Sequence, residues 1–161
     1  MWNESNRGGI RMEVINHDLE QKILGVFLNS SDGERTLTAF NTLKPIHFAV
    51  IEHQVIYEEM QRLGSTNVSA FKLVQRMPDQ KEYIQKLISF NTGVLTIKSD
   101  VAGLIDLYKR RKLKERTESM QQQIEDSSTP ANESIVLLNS KFESLLKSEY
   151  DFEIKSSAEV A

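Results

Sequence analysis

The sequence contains no cysteine. This excludes disulfides, thiolate nucleophiles and most structural zinc sites. Glycine is scarce: the seven stand at 8, 9, 25, 33, 64, 93 and 103, and none precedes a lysine. A G-x-x-x-x-G-K-S/T phosphate loop is therefore absent, as are G-x-G-x-x-G and H-E-x-x-H. The three histidines, His17, His47 and His53, form no metal-ligand pattern with nearby acids. Glu58 and Glu59 are adjacent, so on a helix they point about 100° apart, a poor geometry for a paired acid and base. They read as a solvated face. No apolar run approaches the roughly 18 residues needed to span a bilayer. The N-terminal stretch MWNESNRGGIRMEV lacks the apolar centre of a signal peptide, so the expected compartment is the cytoplasm. A net charge of −3 argues against broad nucleic-acid coating. No catalytic residue, cofactor site or metal site is expected in this chain.

What remains is helix-forming material. The 161 residues are 39% hydrophobic and 27% charged, which suits one compact domain, alone or with an appendage, and excludes a disordered chain. Residues 1–15 are polar, contain Gly8-Gly9 and read as a disordered leader; Met12 offers a second start. Helix one runs from His17 to Asn29 with Leu19, Ile23, Val26 and Phe27 on one side, capped by Asn16. Helix two opens at Ser31 and Glu34, which stand at capping-box spacing, buries Leu37 and Phe40 and ends before Pro45. Helix three is HFAVIEHQVIYEEMQRLG, 47–64, where Phe48, Ile51, Val55, Ile56, Met60 and Leu63 recur at helical intervals. His53 falls toward the edge of that face and reads as a packed or half-exposed residue with one hydrogen bond. Charge change near neutral pH is common to all histidines and proves no role. Helix four, capped near Asn67, shows Phe71, Val74 and Met77 and stops at Pro78; helix five spans Asp79 to Ser89, and FNTG, 90–93, is a loop. No segment alternates like a strand. The fold is expected to be all-α.

The last third differs. A long pattern from Ser99 to Ile124 carries two successive stripes, Val101, Leu104, Ile105 and Tyr108, then Leu113, Thr117, Met120 and Ile124. After EDSSTP, with Pro130 suited to a first helical turn, Ile135, Leu138, Phe142 and Leu145 repeat at 3-4-3 spacing. Two narrow seams across a short turn imply an antiparallel helical hairpin. Leu113, Met120, Ile124, Ile135, Leu138, Phe142 and Leu145 are its expected seam. Val136 and Leu137, on other faces, are the candidate subunit interface. The expected organisation is a leader, 1–15; a globular body, 16–108; a protruding hairpin, 109–148, completing the same domain; and a tail or linker start, 149–161. At the switch between stripes lies KRRKLKER. Its Lys109, Arg110, Arg111, Lys112, Lys114 and Arg116 are candidates for weak contact with nucleic acid or an acidic partner. They ring the helix with no interleaved aromatics, so a solvated linking helix is the favoured reading, and DNA binding is expected to be weak at most.

The order of these elements resembles the N-terminal domain of the bacterial replicative hexameric DNA helicases, the DnaB family. LEQKILGVFLN resembles the family's opening helix with its E-Q-x-x-L-G pattern, here Glu20, Gln21, Leu24 and Gly25. HFAVIEHQVIYEEM is similar to the family's D-F-Y-x-x-x-H-x-x-I-F/Y-x-x-M stretch at Phe48, His53, Ile56, Tyr57 and Met60; His47 and Ala49 depart from it. TNVSAFKLVQRM and YIQKLISFNTG follow in the family's order, so the resemblance covers about residues 16–148. It implies that His53 belongs to a packed helix and not to an active site. It implies a noncatalytic assembly and docking module: hairpins pair subunits, the domains build a collar on a hexameric ring, and that collar receives primase or a helicase loader. ATP and magnesium would belong to a motor domain absent here. The chain then fits a domain fragment, a truncated gene product or a free-standing protein. Two other readings stand beside this one: the helicase-binding domain of a primase, and a small helical nucleic-acid-binding protein using residues 109–116.

Overall fold

The computed structural model describes residues 14–29, 33–90 and 93–158, with side chains through Ser144 and at Lys147. The chain is all-α. Its helices are α1 (His17–Asn29), α2 (Glu34–Thr42), α3 (Ile51–Leu63), α4 (Ala70–Arg76), α5 (Lys81–Ile88), α6 (Ile97–Glu125) and α7 (Ala131–Ala158), and the described residues contain no strand. Short 3-10 turns precede α3, α5 and α6. The chain divides into two compact units, residues 1–112 and 113–161, with the boundary inside α6. Residues 1–13 of the expected leader, Ser31 of the expected capping box, positions 91–92 of the expected loop, residues 159–161 and the side chain of Leu145 lie outside what is described.

In the first unit α1 is the central helix, packed on α2, α3 and α5. It starts as its sequence dictates: the Asn16 carboxamide oxygen accepts the Leu19 amide at 3.0 Å. Ile23, Leu24, Val26 and Phe27 are sealed from solvent. Four aromatic rings fill the space between α1, α2 and α3. Phe27 meets Phe40 edge-on at 5.2 Å, and Tyr57 lies 5.3 Å from Phe40 and 5.0 Å from Phe48. Such pairs add to the burial of each ring, itself about 2–3 kcal/mol. The Tyr57 hydroxyl donates to the Phe40 carbonyl at 2.5 Å. Burial pushes its phenol far above the ordinary value.

Several boundaries differ from those the sequence suggests. The third helix begins at Ile51, not His47. Pro45 opens a 3-10 turn, Pro45–His47, and Phe48 and Val50 are extended, so helical geometry resumes only after them. Its buried face is His53, Ile56, Tyr57 and Met60, while Ile51 and Val55 are exposed by 75% and 45%. The helix ends where expected, at Gly64, whose φ of 85° is a conformation other residues resist. Gly33, without a side-chain bond, caps α2. Ser69, not Asn67, caps α4, its hydroxyl accepting the Lys72 amide. Phe71 stands exposed and Leu73 is the buried member of α4. In the second unit α7 runs on to Ala158, past residue 148, because SEYDFEIKSSA holds no proline or glycine to stop it.

The expected seam of that unit also needs correction. Met120 is 7% exposed and Leu138 half-buried, but Leu113, Ile124, Ile135 and Phe142 are each more than half exposed. The covered stripe of α7 is instead Ser134, Leu138 and Lys141. The Lys141 ammonium donates to the Ser119 hydroxyl at 3.4 Å and to the Gln123 carboxamide at 3.0 Å. The face is turned by about one residue from the apolar one. In Ile135-Val136-Leu137-Leu138 apolar side chains cover every side of the helix, so spacing alone cannot fix which side turns inward.

Candidate functional site

The most concentrated polar chemistry lies inside the first unit. Glu20 of α1 follows the same helical period as Ile23, Leu24 and Phe27 and is, like them, fully buried. Its carboxylate accepts the Ala49 amide at 2.6 Å, the Val50 amide at 3.3 Å and His53 Nδ1 at 2.6 Å. His53 Nε2 meets the Tyr83 hydroxyl at 2.6 Å, and the Gln21 carboxamide donates to that hydroxyl at 3.0 Å. The accounting closes with a neutral imidazole: Nδ1–H donates to Glu20, and Tyr83 donates to Nε2. Burial raises the Tyr83 phenol above its ordinary value, which keeps that proton on oxygen.

An acid, a histidine and a hydroxyl in line resemble a catalytic relay. The setting is otherwise. Glu20 and His53 are both sealed from solvent, so no substrate reaches them. Two of the acceptor's three bonds go to backbone amides at the entrance of α3, where a carboxylate also suits the helix dipole. The network is a clasp. It ties α1 and α5 to the start of α3, and it draws together Glu20, Gln21 and His53 from the two sequence motifs, whose Leu24, Phe48, Ile56, Tyr57 and Met60 are buried in the core. His53 thus makes two bonds in full burial, where one bond at a face edge was expected.

A second lock joins α6 to the turn before α3. Arg111 donates from Nη1 to the Val14 carbonyl at 2.9 Å and from Nη2 to the His47 carbonyl at 2.6 Å. His47 is 3% exposed, accepts the Lys44 amide on Nδ1 at 3.0 Å and lies edge-on to Tyr108 at 5.1 Å. Burial, then the charges of Lys44 and Arg111, bring its pKa from 6.5 to about 4. The unfolded chain therefore takes up this proton before the folded one does. The associated stability is complete above pH 6.5 and drains as pH falls toward 4, a loss of about 2–3 kcal/mol. A His47→Asn variant, which keeps an acceptor but does not titrate, should show a flatter dependence of its urea midpoint on pH than the wild type. Parallel curves between neutrality and about pH 4.5 would contradict this.

The basic run is thus only partly a surface feature. Arg111 is committed to backbone carbonyls. Both Arg111 and Lys112 lie beside the Tyr108 ring, at 5.8 and 5.9 Å. Arg110 pairs with Asp106 at 2.7 Å and Lys114 with Glu118 at 4.0 Å, each one turn apart. Lys109 is half-buried and Arg116 exposed. Charge alone groups these six in the sequence; the structure gives Arg111 a different task. It also brings in Glu20, Tyr83 and His47. Glu20 carried a legible signal, an acid in step with a buried apolar period. His47 and Arg111 carried none, since their partners are backbone atoms.

The other notable chemistry is apolar. In the second unit Val136 is 68% exposed and Leu137 44%, beside the exposed Leu113, Ile124, Ile135 and Phe142. Large exposed apolar groups at this density are uncommon on the surface of a monomer. Among the described residues no group of three or more His, Asp and Glu is arranged to hold a metal ion, and no helix is long and apolar enough to cross a membrane. A family model described as the DnaB-like helicase N terminal domain matches residues 12–126. No curated protein matches the chain.

Proposed function

Because the chain belongs to the DnaB-like helicase N-terminal domain family, we propose that it is a noncatalytic assembly and docking module acting in DNA replication in the cytoplasm. The matched region is the family's N-terminal domain, so ATP and magnesium belong to a motor outside it. The module pairs with a second copy through α7 and the end of α6, in a dimer or within a hexameric ring. It presents its body to primase or a helicase loader. The family match favours this over a primase domain, and the engagement of Arg111 weakens the case for a nucleic-acid-binding run.

The observation that carries the self-association reading is the exposed apolar set on the second unit. Single exposed apolar residues are ordinary; six within two short helical stretches are not. Their burial against the same surface of a second copy gives a two-fold contact. Changing Leu137 to Glu places a charge in that contact. Sedimentation should show the wild type associating and the variant monomeric, with equal helical content by circular dichroism. A wild type that remains monomeric at high concentration defeats the reading.

A further inference from the structure

The first unit carries two further exposed surfaces, of opposite character. One is an open groove of about 690 Å³ between α2 and α6. Leu95, which is 85% exposed, with Ala39, Val101, Ala102 and Ile105 make its apolar lining, and Arg35, Lys98 and Glu34 supply its charges. Neither cation forms an ion pair among the described residues. Lys98 sits in the first turn of α6, where the helix dipole opposes a positive charge. Its position is thus not explained by the stability of its own helix. The other surface is the outer side of α3. Ile51 and Val55, one turn apart, are 75% and 45% exposed. Glu52 beside them is exposed and has no ion pair among the described residues, and Glu58 one turn further on pairs with Arg62. α3 therefore offers a short apolar ridge with an acidic border, and the groove offers an apolar trough with a cationic surplus.

We propose that the α2–α6 groove of one copy receives the Ile51–Val55 ridge of a neighbouring copy, with Glu52 facing Lys98 or Arg35. This rests on the reading of the chain as an assembly module. It adds a second interface, distinct from the one on α7. The two surfaces are different patches of the same unit, so the contact is heterologous. Repeated, it closes into a ring or continues as a chain. A contact made by two turns of helix is small against the roughly 1,000 Å² of a stable interface. It therefore acts together with the pairing through α7, which raises the local concentration of one body beside the next. Opposite charges at its edge make it weaker in high salt.

The absence of cysteine gives a clean test. Chains carrying Val55→Cys are mixed with chains carrying Ala102→Cys under a mild oxidant at high protein concentration. Both positions are at the surface. Disulfide-linked dimers are expected in the mixture, and far fewer with either chain alone. Lys98→Glu in the groove-bearing chain should lower the linked fraction several-fold, and Glu52→Lys in the other chain should restore it. A chain bearing both cysteines should give a ladder beyond dimers. Sedimentation separates the two ideas. Association that persists with no mixed cross-link overturns this interface and leaves pairing through α7 standing. Linkage that is equal with either chain alone, or unaffected by the charge reversal, also overturns it.

Discussion

Changing Glu20 to Ala is expected to destabilise the protein by about 3–5 kcal/mol. The loss is large because three donors depend on one carboxylate. The partly buried amides of Ala49 and Val50 would lose their acceptor, and buried His53 would lose the partner that fixes its tautomer. A fully buried polar group stripped of its partner bears its whole desolvation cost. Against a typical domain stability of about 5–15 kcal/mol, that is a substantial fraction. Glu20→Gln should cost less, since the amide oxygen still accepts one bond while its NH2 group confronts a donor. His53→Ala should be non-additive with Glu20→Ala, because both remove the same bond. Urea denaturation of the two single variants and the double measures this directly. A Glu20→Ala loss below about 1 kcal/mol would mean that water or a neighbouring group satisfies the clasp.

Changing Arg111 to Ala is expected to cost about 3–4 kcal/mol, from two hydrogen bonds made by one charged group. The planar fork reaches two carbonyls that are far apart in sequence, at Val14 and His47. Lysine can replace the charge but not the fork, so Arg111→Lys should lose at least half as much stability. Exposed Arg110, one residue earlier, is the control. Its single pair with Asp106 at the surface is worth less than about 1 kcal/mol. A second readout follows from His47. Removing Arg111 removes one of the causes that hold its pKa near 4, so its titration, followed by nuclear magnetic resonance, should move upward toward 6.5. An Arg111→Ala protein of wild-type stability, with His47 titrating unchanged, would return Arg111 to the surface run in which its sequence context places it.

Periodicity determined the helical class, the extent of α1, the stop at Gly64 and the long helix through the basic run. Those features arise from local causes. Side chains three and four apart share a face, an asparagine accepts a nearby amide, and a glycine adopts a positive φ. The resembled motifs also pointed to residues that matter, although not to their task. Tertiary structure alone decided that Glu20 and His53, 33 residues apart, would close on one another. It alone decided that Arg111 would be spent on backbone carbonyls, which leave no trace in side-chain sequence. It alone turned Ile51 and Val55 outward on α3, because the larger Tyr57 and the clasp at His53 occupy the inner face. The same holds for α7, where four consecutive apolar residues leave its rotation open. There, the polar bonds of Lys141 to Ser119 and Gln123 accompany Ile135 and Phe142 on the outer side, since a helix that is apolar on all sides carries no internal instruction about which of them to bury.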